Sequence, residues 1–202
     1  MVEIFSIGHS NQEYTALASR LKAERITALA DVRSSPFSRH YPQFNRPSLK
    51  ASLAKDKIAY AFIGKELGGR PDRPTLFSHG VADYEKMSRE ASFRDGLERL
   101  ETGARDFRIA MMCSERHPLD CHRCLLVGRA LKLRGHIVRH LLPTENWIDQ
   151  DDVEARLLEE AGNFHDDMFI PYEIRLNSAY RKRADRVAFR ENSTISEDET
   201  II

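Results

Sequence analysis

Apolar residues along this chain alternate between two periods. Ile4-Phe5-Ser6-Ile7 is a short apolar run closed by Gly8-His9-Ser10, which predicts a first strand. Tyr14, Leu17, Ala18 and Leu21 then recur three and four apart, an amphipathic helix that Ser10 or Asn11 can cap. A second strand is predicted over Ile26 to Ala30, ending on Asp31-Val32-Arg33. A helix over Ser48 to Lys55 and a strand over Ile58 to Ile63 follow, and Leu67-Gly68-Gly69-Arg70-Pro71 breaks the pattern. Helices are predicted from Tyr84 to Met87 and from Ser92 to Thr102, then a fourth strand from Phe107 to Cys113. Pro118 opens a helix that ends near Gly135. Ile137 to Leu142 is a fifth strand, and residues 151 to 160 form a last helix. Repeated strand-helix-strand units predict an α/β fold: a parallel or mostly parallel sheet of about five strands with helices on both faces.

The pattern divides the chain into an α/β domain over 1–165, a basic-aromatic arm over 166–190 and an acidic tail over 191–202. From Met168 to Arg190 there are six Arg or Lys against two acids, a composition that suits a helical arm and a homodimer contact. The tail is expected to be disordered. The length of 202 residues and 41% apolar content suit a single domain. A balance of 31 basic against 31 acidic residues excludes a globally charged polyanion binder but leaves room for a local basic patch. No run approaches the roughly 18 apolar residues needed to cross a bilayer, so no membrane partner is expected. Three cysteines fit a reducing, cytoplasmic setting better than a disulfide framework.

In a parallel sheet all strands end on one edge. Gly8-His9-Ser10, Asp31-Val32-Arg33 and Cys113-Ser114-Glu115 then share that edge, where ligands of open α/β sheets bind. His9 can shuttle a proton near neutral pH. Asp31 and Glu115 can orient it, or act as acid and base. Cys113 is either a nucleophile activated by nearby arginines or a small core residue. Arg33 and Arg123 can hold a phosphate or carboxylate, with Ser10, Ser114, His122 and the free amides around Ser114 to Leu119, at a helix amino end, beside them. Asp31 and Arg33 can equally form a structural ion pair. Cys121 and Cys124 fall on the apolar side of the predicted helix, which favours core packing for both.

Metal and redox chemistry have weaker signals. Cys113, Cys121, His122 and His9 are possible ligands, but their spacing along the chain matches no zinc pattern. Cys113 and Cys121 can also be read as a redox pair. Neither a phosphate loop nor a Gly-x-Gly-x-x-Gly turn is present, so no cofactor is expected. Between Asp31 and Asp56 there is no acid, while Arg33, Arg39, Arg46, Lys50 and Lys55 alternate with Phe37, His40, Tyr41 and Phe44. That mixture suits phosphate neutralisation and base stacking, or a loop pinned to the domain by its aromatic residues.

Several of these segments carry a resemblance when taken in order. They are Ser6-Ile7-Gly8-His9-Ser10-Asn11; Asp31-Val32-Arg33 with Pro36 and Ser38; Leu67-Gly68-Gly69; Phe93 with Gly96-Leu97; and Cys113-Ser114-Glu115 with Pro118 and Cys121-His122-Arg123. Together they resemble the bacterial and archaeal domain-of-unknown-function 488 family over roughly residues 4 to 142. The resemblance implies a soluble α/β domain and no established reaction. The functional expectation is an enzyme acting on a phosphate-bearing substrate, a nucleotide or nucleic acid, at the carboxyl edge of the sheet. The alternatives are a non-catalytic nucleic-acid or regulatory binding module, and a metal-thiolate or thiol-redox site.

Overall fold

A computed structural model describes residues 1–143, 147–162 and 169–191. In chain order the elements are β1 (Glu3–Gly8), α1 (Tyr14–Ala23), β2 (Ala28–Asp31), α2 (Arg46–Lys55), β3 (Ala59–Phe62), α3 (Gly64–Leu67), β4 (Phe77–Ser78) and β5 (Val81–Ala82). They continue with α4 (Tyr84–Ser88), α5 (Ala91–Asp106), β6 (Ile109–Cys113), α6 (Arg129–Leu133), β7 (Ile137–Leu141), β8 (Trp147–Asp149), α7 (Gln150–Glu160) and α8 (Tyr172–Val187). The main sheet runs β3-β2-β6-β1-β7-β8, and β4 with β5 forms a small hairpin.

The α/β class and the five parallel strands agree with the apolar pattern. The sixth strand, β8, is an addition. It pairs antiparallel with β7 through Arg139 and Asp149, and three residues are too few to leave a periodic signal. The predicted fourth strand begins two residues late, because Phe107 caps α5 and stays exposed.

Strand alternation sorts the core into two layers. Phe5, Ile7, Leu29, Ala110 and Met112 pack under α1 and α2 with Leu17, Leu21, Leu49 and Leu53. Ile4, Ala28, Ala30, Met111, Cys113 and Val138 face the opposite layer, with Phe93, Leu97 and Leu100 of α5 and Leu157 and Leu158 of α7. Each of these buried aliphatic side chains contributes about 2 kcal/mol of transfer free energy. The arm is part of this second layer: Leu176, Ala179 and Tyr180 of α8 are buried in the chain's own core. The Phe189–Arg190 segment beyond α8 hydrogen-bonds to β5. Of the expected disordered tail, residues 192–202 lie outside the described residues, as does the 165/166 boundary.

From β1 the chain moves outward through β2 to β3, then returns to insert β6 between β1 and β2 before continuing outward to β7. The direction therefore reverses at β1 and β6, whose carboxyl ends lie side by side, with Gly8 opposite Cys113 and Asp31 opposite Met112. Such a reversal leaves a crevice above the strand ends.

Candidate metal centre

The segment after β6 departs from the expected helix. Pro118–Asp120 is a single tight turn, with the His117 ring accepting from the Leu119 amide. Cys121 is then extended (φ −140°, ψ 139°). Helical geometry resumes at His122 and widens into a π-type turn over Arg123–Gly128 before α6. The extended residue takes Cys121 out of the predicted helix while leaving it buried in the core. Its Sγ accepts from the Arg123 amide at 3.5 Å. The amides of Leu119, Asp120 and Cys121 are also taken internally, which removes the Leu119 end of the expected anion cradle.

Cys121 and its neighbour His122 instead meet the end of β6. Potential ligand atoms of Cys113, Glu115, Cys121 and His122 all lie within 4.8 Å of one another. Glu115 Oε2 is 2.8 Å from Cys113 Sγ and 3.0 Å from Cys121 Sγ. His122 Nδ1 is 3.6 Å from Cys113 Sγ and 3.8 Å from Cys121 Sγ. His122 Nε2 lies 3.0 Å from the carbonyl of Val32 at the end of β2, an acceptor only, so Nε2 carries the hydrogen. Nδ1 therefore faces the two sulfurs, and on losing its proton to a metal it would present its lone pair in the orientation a ligating imidazole takes from its carbonyl partner.

Packing fixes this arrangement. A Cβ on Gly69 would come within 2.7 Å of the His122 ring, so only glycine admits the imidazole here. A Cβ on Gly8 would sit 1.9 Å from the Glu115 carbonyl oxygen, so the β1 end and the Glu115 loop meet backbone to backbone. Arg123, fully buried, donates to the Glu115 carbonyl at 2.7 Å, to the Arg116 carbonyl at 3.1 Å and to Ser6 Oγ at 3.3 Å. It is a brace inside the wall of the site rather than a free anion binder.

The electrostatics follow. Burial alone would raise the Cys121 thiol, but its contact with Cys113 and the charges of Arg123 and His122 outweigh that and hold it well below the ordinary thiol range. Burial, Cys121 and Glu115 push Cys113 up. Burial, then the Cys121 charge, raises Glu115. Burial would lower His122, but the Cys121 charge and contact and the Glu115 charge raise it.

The remaining candidates form a second group across the crevice. Asp31 is fully buried and takes Arg33 in bidentate fashion, Nε to Oδ1 at 2.9 Å and Nη2 to Oδ2 at 2.7 Å, while Tyr60 donates to Oδ2 at 2.8 Å. Arg33 also donates to the Phe44 carbonyl at 2.8 Å and meets His9 Nε2 at 3.2 Å. His9 stacks on Phe44, contacts the Ser10 carbonyl through Nδ1, and is lowered to about 4 by burial. It is therefore neutral near pH 7. Ser10 sits in a left-handed turn (φ 46°), and its amide donates to the Ser114 carbonyl, tying the two strand ends together. Phe44 pins the basic loop to the core, whereas Phe37 and Arg39 are exposed and outside the crevice.

Between the two groups lies a polar cavity of about 130 Å³, lined by Arg33, Ser34, Arg70, Ser114, Glu115 and His122 among others. Cys121 is buried in the core as its spacing predicts and is also one of the possible ligands the sequence offers, whereas Arg70 carries no signal beyond a chain break. The adjacent Cys121-His122 pair, eight residues beyond a cysteine that ends a strand, was the available signal for the cluster. Among the described residues no helix is long and apolar enough to cross a membrane.

A family model described as a domain of unknown function, DUF488, matches residues 13–130, a span that includes all four clustered donors. No curated protein and no solved structure matches the chain.

Proposed function

The chain belongs to the DUF488 family, and from that premise we propose that it is a metal-dependent enzyme whose zinc-class ion is held by Cys113, Cys121, His122 and Glu115. The observation that carries this reading is the convergence of two sulfurs, a carboxylate and an imidazole nitrogen whose ring is oriented by the Val32 carbonyl. Thiolate and imidazole donors in a compact set favour Zn²⁺ over hard cations. Such an ion supplies Lewis acidity and lowers the pKa of bound water.

The protein's own residues shape what the ion can act on. Arg123 offsets the negative charge of the donors and holds the loop that carries Glu115. Arg33, oriented by Asp31 and His9, faces the cavity from the opposite wall. Asp31 and His9 are thus positioning residues rather than proton carriers. The substrate that fits these walls is a small anion or a phosphate-bearing compound. The exposed Phe37 beside exposed Arg39 favours, as a second reading, contact with a nucleic acid along the basic loop.

Elemental analysis of the full chain purified without chelator tests the proposal. One equivalent of zinc is expected, lost in Cys121→Ser and His122→Gln and kept in Cys124→Ser. A wild-type protein that takes up no stoichiometric metal after zinc incubation refutes it.

A further inference from the structure

The four donors are not equivalent. Cys113, Cys121 and His122 are buried, and each is fixed by a neighbouring element: the parallel pairing of β6, the Arg123 amide, and the Val32 carbonyl with Gly69. Glu115 is the exposed one. Its backbone is anchored through Arg123, and its carboxylate contacts the two sulfurs and its own backbone amide.

The cavity opens beside this fourth donor. Its lining includes Arg70, exposed and without a salt bridge among the described residues, its guanidinium held 5.0 Å over the Phe189 ring. An incoming oxyanion therefore meets a displaceable carboxylate and a positioned cation in the same cavity. Arg33, already neutralised by Asp31, adds hydrogen-bond donors without adding net charge.

We infer that Glu115 is the exchangeable ligand of the centre, giving way to a small oxyanion that enters the cavity and is also held there by Arg70. The inference rests on the metal-centre reading above and adds to it the class of ligand that reaches the ion. A closed four-coordinate centre is structural; one that yields a position can act on substrate. No covalent step is implied, only exchange of one oxygen donor for another.

Cobalt(II) loaded into the full chain supplies the test, because sulfur-to-cobalt absorption reports uptake and the visible bands report coordination. Inorganic phosphate is the probe. In the wild type the visible bands should change saturably with phosphate. Arg70→Ala should weaken phosphate binding about tenfold, the scale of one charged hydrogen bond, with cobalt uptake unchanged. Glu115→Ala should tighten it severalfold, because the cost of displacing the resident carboxylate disappears. These opposite shifts separate ligand exchange from a merely structural role for either residue. Cobalt uptake with bands indifferent to phosphate in both wild type and Glu115→Ala would overturn the exchange while leaving the metal centre standing. Failure of the wild type to take up cobalt would overturn both.

Discussion

Asp31→Asn is the substitution whose consequence can be worked furthest from the structure. Asp31 is fully buried and accepts four hydrogen bonds: Arg33 Nε at 2.9 Å and the Arg33 amide at 3.2 Å on Oδ1, Arg33 Nη2 at 2.7 Å and Tyr60 Oη at 2.8 Å on Oδ2. Burial and the Asp31 charge push the Tyr60 phenol up, so it remains a donor. Asparagine keeps one acceptor oxygen and turns an amide donor toward groups that only donate. The guanidinium of Arg33 stays buried with its charge uncompensated. Breaking a buried pair in this way costs about 3–5 kcal/mol. For a domain of this size that lowers the melting temperature by about 10 °C. Urea unfolding followed by far-UV circular dichroism measures it, with the dependence on urea unchanged. Removing both partners, in Asp31→Leu with Arg33→Met, should recover most of the loss, because no charge is then left behind. A loss below about 1 kcal/mol for Asp31→Asn, on the scale of an exposed pair, would refute the structural role given to this ion pair.

Three further outcomes follow from the same geometry. Gly69→Ala should push the His122 ring off its Val32 contact and weaken zinc binding at least tenfold, the scale of disturbing a ligand's orienting partner; competition with a chromophoric chelator measures it, and unchanged affinity would mean the ring is not a ligand. Stability should fall on acidification: burial lowers His9 to about 4 and His140 to about 3, so the unfolded chain takes up protons first as pH drops below about 6.5. His9 alone contributes up to about 3 kcal/mol of loss by pH 4, read as a falling urea midpoint, and a flat midpoint between pH 6.5 and 4 would contradict the buried neutral state. His140→Gln should make the low-pH part of that fall shallower, since His140 sits neutral between Ser6 Oγ at 2.6 Å and Gln150 Oε1 at 2.7 Å; an unaltered profile would remove it as a contributor.

The strand ends were legible because short apolar runs ending in polar triplets leave a plain signal, and parallel topology then forces His9, Asp31, Arg33 and Cys113 to one edge. What each residue does there was not legible. Periodicity treats the stretch after Pro118 as a regular helix, and in a regular helix Cys121 falls on the core face with Cys124. Both are buried in the core, but one extended residue at Cys121 gives them different neighbours: Cys124 lies beside Gln150, where burial pushes its thiol up to about 12, and Cys121 meets Cys113. Chain spacing also hid the cluster, because Glu115 reaches it from a loop and Val32, which orients His122, lies 90 residues away. Arg33 and Arg123 read as anion binders because a sequence does not distinguish an arginine in solvent from one held by backbone carbonyls. Arg70 emerges only when the turn after Gly69 folds back beside Phe189.

The central claim is that four particular side chains form one coordination sphere, and zinc K-edge X-ray absorption of the full-length protein measures that sphere directly. The account predicts two sulfurs at about 2.3 Å with two nitrogen or oxygen donors at about 2.0–2.1 Å, and a single sulfur after Cys121→Ser if metal is retained. A sphere of nitrogen and oxygen alone in the wild type would contradict it.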